Sequence, residues 1–340
     1  MIDVAIVGAG PAGSNCAYNL TQRGIHATIF DHSHPREKPC GGMIGASDKE
    51  AFSILEKFSI EHSEIDLMRV ISPSQKIWNI DMTKNRLLGF SRMRFDQCLL
   101  DKALGAGATL IKEKVIGLQK KGKSWRVITQ KESYEVSTVV GADGVNSLIR
   151  RNIIGALNKT DMGVCFGHIF KGATEKTVTI KFLPKIEGYV WVIPRGDNTS
   201  IGGGTTKIHN FRQLKNEVNL FTKTGYSQME KISEWAALIP NVKNPRTLLS
   251  RMAGPNWVLI GDAAGHVSPI SGSGIAYALI DGELAAEAIA ENHVEQFNKM
   301  WVDFYGKQLL LDTRLRGLIY QRPILELYCM TMKLHNTIHF

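Results

Sequence analysis

Apolar and polar positions change period in a definite order along the chain. Residues 2–7 (IDVAIV) form a short apolar run, GAGPAG follows at once, NCAYNLTQRG comes next, and IHATIFD is a second apolar run closed by an acid. The pattern predicts strand, glycine turn, helix and strand. Between residues 64 and 91 come short β-like runs (LMRVIS, KIWNI, LLGFS) separated by polar breaks. SRMRFDQCLLDKALGAGATL then sets Phe95, Leu99, Leu100, Ala103 and Leu104 at helical spacing, predicting a helix that begins with Arg92. Strand-like WRVIT and YEVSTVV lead into GADGVNSLIRR. Much later, NWVLIGDAAGHVSPISGSGIAYALIDGELAAEAI reads as a buried strand, a glycine-bearing loop and a long helix. Beyond residue 290 the pattern is helical, with leucines, aromatics and basic residues interleaved.

The first unit carries chemistry at each of its special positions. Gly8 permits the tight turn, Gly10 lets a pyrophosphate approach the backbone, and Gly13 allows helix and strand to pack closely. The helix opening at Pro11 and Ala12 turns unsatisfied amides and its positive dipole end toward phosphates. Asp31 ends the second strand, where a carboxylate accepts hydrogen bonds from an adenosine ribose. A dinucleotide site is expected; the plain alternative is a tight turn in a structural βαβ unit. A nicotinamide enzyme would usually continue with further βα units, whereas here β-like runs interrupt the pattern and no second GxGxxG unit follows.

Composition narrows the class. With 340 residues, 44% hydrophobic and 21% charged, the chain is an ordinary globular protein, long enough for two domains sharing one cofactor. Cys16, Cys40, Cys98, Cys165 and Cys329 are scattered, without CxxC or metal-ligand spacing, so neither a disulfide framework nor a metal site is expected and a reducing cytoplasm fits. Residues 1–10 open on a strand pattern rather than a signal segment, and no apolar run is long enough to span a bilayer. The formal charge of +9 suits an anionic partner such as a phosphate-bearing cofactor or an acidic lipid surface. Without a dense basic block, nucleic acid is not expected, and scattered lysines that merely keep the surface soluble are the plain alternative.

Three segments together resemble the FAD-dependent oxidoreductases of the para-hydroxybenzoate hydroxylase fold: GAGPAG at 8–13, GADGVNSLIR at 141–150 and GDAAGHVSP at 261–269. Within that group, KPCGG at 38–42, Arg92, Phe95 and Asp96 spaced as RxxFD, and GYVWVIP at 188–194 are similar to the geranylgeranyl reductase family. Members of that family carry a cysteine beside paired glycines and a YxWxFP segment. Tyr189, Trp191 and Pro194 fit that segment, and Ile193 stands where phenylalanine is usual. The resemblance covers residues 1 to about 290 and is greatest to compact, CbrA-type members. It implies an α/β (α+β) architecture: a Rossmann-like FAD-binding domain from residues 1–65, 92–150 and 251–290, a β-sheet substrate domain from 66–91 and 151–250, and a helical tail at 291–340.

The same resemblance implies FAD as cofactor, with Asp143 and Gly144 near its pyrophosphate and Asp262 on its ribityl chain. The helix opening at Gly274 and Ile275 would face its positive end to the flavin ring, where it stabilises the anionic reduced form. Lys38, Cys40, Gly41, Gly42, Arg92, Gly261, Pro269 and Gly272 complete the expected contacts, with a helix-capping role as the alternative for Arg92. The implied reaction is reduction of carbon–carbon double bonds of an isoprenoid (geranylgeranyl or polyprenyl) lipid by hydride from reduced flavin, with NAD(P)H or ferredoxin as electron donor. An aromatic monooxygenase shares the three fingerprints but gives no reason for KPCGG. A flavin-dependent halogenase, whose WxWxIP is close to YVWVIP, leaves Cys40 unexplained, and a non-catalytic flavin- or lipid-binding protein is the remaining reading.

Cys40, Tyr189 and Trp191 are the candidate catalytic residues. Alkene reduction needs a proton as well as a hydride, and a free thiol, with an ordinary pKa of about 8.5, is mostly protonated at neutral pH. A small apolar filler in a loop forced by Pro39 and the glycines is the other reading of Cys40. Tyr189 and Trp191 alternate with Val190 and Val192, giving a strand one aromatic face that either walls an apolar cavity or is plain core. The other cysteines read as core, and His266, in the flavin-adjacent loop, as an exposed loop residue, with a proton relay as the alternative. The basic amphipathic tail either lies peripherally on the inner face of a membrane or covers the core.

Overall fold

The structure, a computed structural model, describes residues 1–45 and 60–335. Residues 46–59 of the first expected segment and 336–340 of the tail lie outside the described residues.

The strands are β1 (Ile2–Val7), β2 (Ala27–Phe30), β3 (Met43–Gly45), β4 (His62–Ile65), β5 (Leu67–Ile71), β6 (Ile77–Asp81), β7 (Leu87–Phe90), β8 (Thr109–Ile111), β9 (Val115–Lys121), β10 (Ser124–Thr129), β11 (Ser133–Gly141), β12 (Met162–Lys171), β13 (Thr177–Phe182), β14 (Gly188–Pro194), β15 (Asn198–Thr205), β16 (Lys231–Pro240), β17 (Ala253–Gly254) and β18 (Trp257–Leu259). The helices are α1 (Pro11–Gln22), α2 (Arg92–Gly105), α3 (Leu148–Ile153), α4 (Phe211–Gly225), α5 (Pro245–Leu248), α6 (Ile275–Ala290), α7 (Phe297–Trp301), α8 (Lys307–Ile319) and α9 (Arg322–His335).

The first sheet runs β17-β18-β11-β1-β2-β8, with the β9–β10 hairpin attached to β11. Its centre is parallel, β1 pairing β11 on one side and β2 on the other. A parallel sheet is covered on both faces, which is why the last four residues of β1 and all of β2 are buried. On one face α1 and α6 pack closely: a Cβ added at Gly282 would lie 2.6 Å from the Ala12 carbonyl oxygen, and Asn15 Nδ2 donates to the Leu279 carbonyl at 2.8 Å. The sheet ends carrying Gly8, Asp143 and Gly261 therefore come from three distant segments and lie side by side.

The second sheet is β16-β12-β15-β14-β13-β5-β6, antiparallel except for the β5–β13 pair. Its strands alternate between two environments, as the period of two demands. Val190 packs with Leu214 and Val218 of α4, and Val192 with Phe170 and Ile201, while Tyr189 and Trp191 point to the other side. A short β3-β7-β4 sheet follows KPCGG. From residue 294 to 335 the chain is mainly helical, as expected: Phe297, Trp301 and Leu309 join the core of the first sheet, and Leu325, Cys329 and Met332 of α9 join Met68, Val70 and Ile80 on the second. No helix among the described residues is long and apolar enough to cross a membrane.

Candidate functional site

A cavity of about 660 Å³ collects residues from almost every part of the chain. It is lined by Pro11, Lys38, Cys40, Gly41, Gly42, Arg92, Asp143, Gly144, Tyr189, Trp191, Asp262, Pro269, Gly272, Gly274 and Ile275 among the expected site residues. Gly8, Gly10, Ala12, Gly13, Asp31 and Gly261 are not part of its lining. Ala12 instead packs against Gly261, where an added Cβ would lie 3.1 Å from the alanine Cβ.

The glycine turn is built for a phosphate. Gly8 has φ +108°, and a Cβ there would strike the Ala142 carbonyl oxygen at 2.3 Å, so both backbone shape and the neighbouring strand require glycine. At Gly10 the opposite holds: an added Cβ meets no protein atom within 4 Å. Space is left beside the N-terminus of α1, whose first turn has no side-chain cap and which Pro11 opens. Asp262 holds Lys38 Nζ at 3.0 Å through Oδ2 and is partly exposed to the cavity, leaving carboxylate capacity for hydroxyl donors. Asn241, also in the lining, donates from Nδ2 to the Pro269 carbonyl while its buried Oδ1 has no partner among the described residues. A buried orphan acceptor calls for a donor. These features fit FAD.

Two of the expected cofactor carboxylates are occupied by the chain itself. Asp31 Oδ2 accepts from Ala9 N at 2.9 Å and stands 2.8 Å from His34 Nδ1, and its Oδ1 accepts from Ser33 N, Ser33 Oγ and His34 N. Five contacts fill the lone pairs of a carboxylate. Asp31 is thus seen fastening the glycine turn to the following loop. Asp143 accepts from Ser147 Oγ and from the amides of Leu148 and Ile149, capping α3; burial, outweighing these bonds, pushes its carboxyl up. Gly144 beside it faces the cavity with φ +81°.

Alternating charges run from the glycine turn to the thiol. His34 bridges Asp31 and Asp96, with Nε2 3.5 Å from Asp96 Oδ2. Asp96 is held by Arg92 through two parallel bonds of 2.8 Å, both residues being fully buried. The Arg92 guanidinium also meets the Cys40 thiol. Burial works against its charge, but Asp96 and Cys40 more than offset this and raise its pKa above the ordinary value. Burial likewise opposes the charged forms of His34 and its partners, yet pairing wins: the His34 pKa is raised, and those of Asp31 and Asp96 are lowered.

Cys40 is half-buried, and its sulfur accepts from Gly42 N at 3.4 Å. Trp191 Nε1 donates to Ser200 Oγ at 3.1 Å, and Ser200 Oγ donates in turn to the Cys40 carbonyl at 3.4 Å, so the aromatic wall and the cysteine loop share one bridge. Trp191 stacks on Trp235 with centroids 6.1 Å apart and lies 5.9 Å from Tyr189. The Tyr189 hydroxyl donates to the Ser271 carbonyl, and burial raises its pKa well above the ordinary value.

Two sequence expectations are corrected. His266 is fully buried: α7 and the turn after it fold across the loop, placing Trp301 4.3 Å from the imidazole, and Asp281 lies 2.7 Å from its Nδ1. Cys16 and Cys329 are core, but Cys165 faces the cavity and Cys98 is half-buried. Burial pushes the Cys165 thiol up to about 12. Sequence reasoning missed Glu37, which accepts from Ser91 Oγ and Met93 N at the start of α2 and from Arg195 Nη1 at 2.8 Å, and Asp281, which also accepts from Gly261 N at 2.8 Å. An acid one residue before KPCGG was the available signal for the first. Tyr320, Tyr328 and Met332 of the tail also line the cavity, and no motif marked them.

Open space at a glycine turn and helix N-terminus, a carboxylate with capacity to spare, a buried orphan acceptor and an adjoining aromatic wall fit a flavoprotein oxidoreductase built on two sheets. A protein-family profile described as an FAD binding domain matches residues 1–309. The geranylgeranyl diphosphate reductase of Rhodobacter capsulatus is 31% identical over 301 residues, covering 84% of this chain and 74% of that one. The digeranylgeranylglycerophospholipid reductase of Methanococcus vannielii is 26% identical, with 93% and 86% covered. A solved geranylgeranyl bacteriochlorophyll reductase-like protein of Thermoplasma acidophilum shares the fold, with a TM-score of 0.79 at 22% identity over 94% of this chain and 87% of that one. The chain belongs to the geranylgeranyl reductase family of FAD-dependent oxidoreductases, and its cofactor is FAD.

Proposed function

We propose that the protein saturates isolated carbon–carbon double bonds in a polyprenyl lipid. The observation that carries this reading is the meeting, in one cavity, of the cofactor-binding segments with Cys40, Arg92 and an apolar wall. Reduced FAD supplies a hydride to one alkene carbon. Cys40 holds the proton for the other carbon at Sγ. The thiolate left behind lies against the Arg92 guanidinium, whose charge Asp96 fixes in place. Tyr189, Trp191, Trp235, Ile180 and Phe182 exclude water and orient an apolar chain. Lys38 and the pair Gly41 and Gly42 line the same cavity wall, and Gly272, Gly274 and Ile275 would turn the N-terminus of α6 toward a bound flavin.

Names of relatives acting on geranylgeranyl diphosphate and on digeranylgeranylglycerophospholipid support the substrate class. NAD(P)H or ferredoxin would supply the electrons. The test is anaerobic reduction of the holoprotein with dithionite, followed by mass spectrometry of added geranylgeranyl diphosphate. One hydrogen pair should be gained per double bond as the flavin is reoxidised, and an unchanged lipid beside flavin that stays reduced would reject the reading.

A peripheral position on an anionic membrane suits such a substrate. Leu311, Leu315 and Leu318 of α8 are exposed at i, i+4 and i+7, with exposed Lys307 and Arg314 on the same helix. Flotation with phosphatidylglycerol vesicles should carry the protein upward, and failure to float removes the membrane from the proposal.

A further inference from the structure

Beside the main cavity lies a smaller one of about 230 Å³ with a different character. The two share Tyr320, whose hydroxyl is pinned to the Ile270 carbonyl at 3.0 Å. Neighbouring residues divide between them: Phe182 and Thr206 line the large cavity, and Leu183 and Lys207, the very next residues, line the small one. One residue's thickness therefore separates an apolar, aromatic-walled space from one lined by Lys185, Lys207 and Arg322.

The small cavity has a surplus of positive charge. Its one lining carboxylate, Glu187, is taken up by Lys207 at 2.6 Å, by Arg316 at 3.1 Å and by Thr206 Oγ1 at 2.8 Å. Burial is the largest influence on Glu187 and opposes its charge, but these partners outweigh it and lower its pKa. Lys185 and Arg322 are exposed and have no ion-pair partner among the described residues. Arg316 is buried, and its Nε has no partner among the described residues. Arg322 is also the first residue of α9. Three cations therefore line the cavity against one carboxylate, and Arg316 holds that carboxylate as well.

We propose that this cavity binds the phosphate-bearing head group of the substrate while the prenyl chain passes Tyr320 into the aromatic cavity. The inference rests on the polyprenyl reading above. The shared chemistry is a phosphate ester at one end of a polyprenyl chain, either the diphosphate of a free prenyl diphosphate or the phosphate of a prenyl glycerolipid. Lys185 and Arg322 contact the oxygens, while Lys207 and Arg316 keep Glu187 from opposing them.

The test measures binding to the oxidised holoprotein by flavin absorbance change for three probes: geranylgeranyl diphosphate, digeranylgeranylglyceryl phosphate in neutral detergent micelles, and geranylgeraniol. The variant is Lys185→Ala combined with Arg322→Ala, two exposed positions with no ion pair among the described residues, and its unfolding midpoint in urea should match wild type. Affinity for at least one phosphate-bearing probe should fall by about tenfold to a hundredfold, while geranylgeraniol stays within about twofold. Whichever phosphate probe loses more identifies the source of the head group. Wild-type affinity for that probe should also weaken with added salt. Unchanged affinity for both phosphate probes, or equal loss for all three, overturns the head-group site alone. A wild-type holoprotein that binds none of the three overturns the polyprenyl reading and this site with it.

Discussion

Lys38 and Asp262, 224 residues apart, meet at 3.0 Å on the wall of the cavity, tying the KPCGG loop to the GDAAGH loop. The pair is partly exposed, so its own contribution to stability is small. Its consequence is positional: the ammonium fixes Oδ2 and leaves the rest of the carboxylate for hydroxyl donors. Asp262→Ala should weaken FAD binding by about tenfold or more, read by quenching of flavin fluorescence as apoprotein is titrated. Lys38→Met should weaken it less. Equal affinity for FAD in Asp262→Ala and wild type would remove the carboxylate from cofactor binding.

Cys40 is predicted to matter to turnover and not to cofactor retention. Cys40→Ala should keep its full complement of FAD and lose alkene reduction by about a hundredfold, the scale of a positioned proton donor. Single-turnover oxidation of the reduced flavin by geranylgeranyl diphosphate measures this directly. A rate within a factor of two or so of wild type would reduce Cys40 to lining the loop.

Much of this site was legible in the sequence because its chemistry is local. Gly8, Gly10 and Gly13 answer to one turn, and the alternation of Tyr189 and Trp191 with Val190 and Val192 fixes which pair faces the cavity. What was not legible depends on partners that only the fold brings together. Asp31 stands at the end of β2, as expected, but its bonds to Ala9, Ser33 and His34 are set by how the turn and the loop fold, which no spacing shows. His266 reads as a surface residue until Trp301 and Asp281 are brought to it from later helices. The tail carries no motif, yet Tyr320 divides the two cavities, because burial on a helix face is decided by what the helix packs against.

Gly42 and Gly10 should fail in opposite ways. Gly42 has φ +72°, and a Cβ would lie 2.2 Å from the Phe90 carbonyl oxygen, a backbone atom that cannot swing aside. Gly42→Ala should destabilise the fold by about 2–4 kcal/mol, seen as a lower midpoint in urea. Gly10 has φ −72° and open space where the Cβ would go. Gly10→Ala should therefore leave the apoprotein midpoint unchanged and weaken FAD binding, because the methyl enters the space reserved for phosphate. An apoprotein destabilised by Gly10→Ala, with FAD affinity intact, would contradict the assignment of that space.

The His34 bridge makes stability depend on pH with a definite sign. Its pKa is raised above 6.5 in the folded protein, so its contribution is complete below 6.5 and is lost as pH rises through the folded value. Asp31 and Asp96 are lowered below 3.8, so their contributions are complete above 3.8 and are lost as pH falls through the folded values. The full − + − + series from Asp31 to Arg92 is therefore charged between these limits. His34→Gln leaves two buried carboxylates facing each other with only Arg92 to balance them. The variant should be less stable by about 1–3 kcal/mol between pH 5 and 6 or so, and the gap should close as pH rises and wild-type His34 loses its proton. Urea unfolding of apoprotein at a series of pH values measures this. A gap that stays constant, or widens, on the alkaline side would mean that His34 stands between the two carboxylates uncharged and acts only as a hydrogen-bonding spacer.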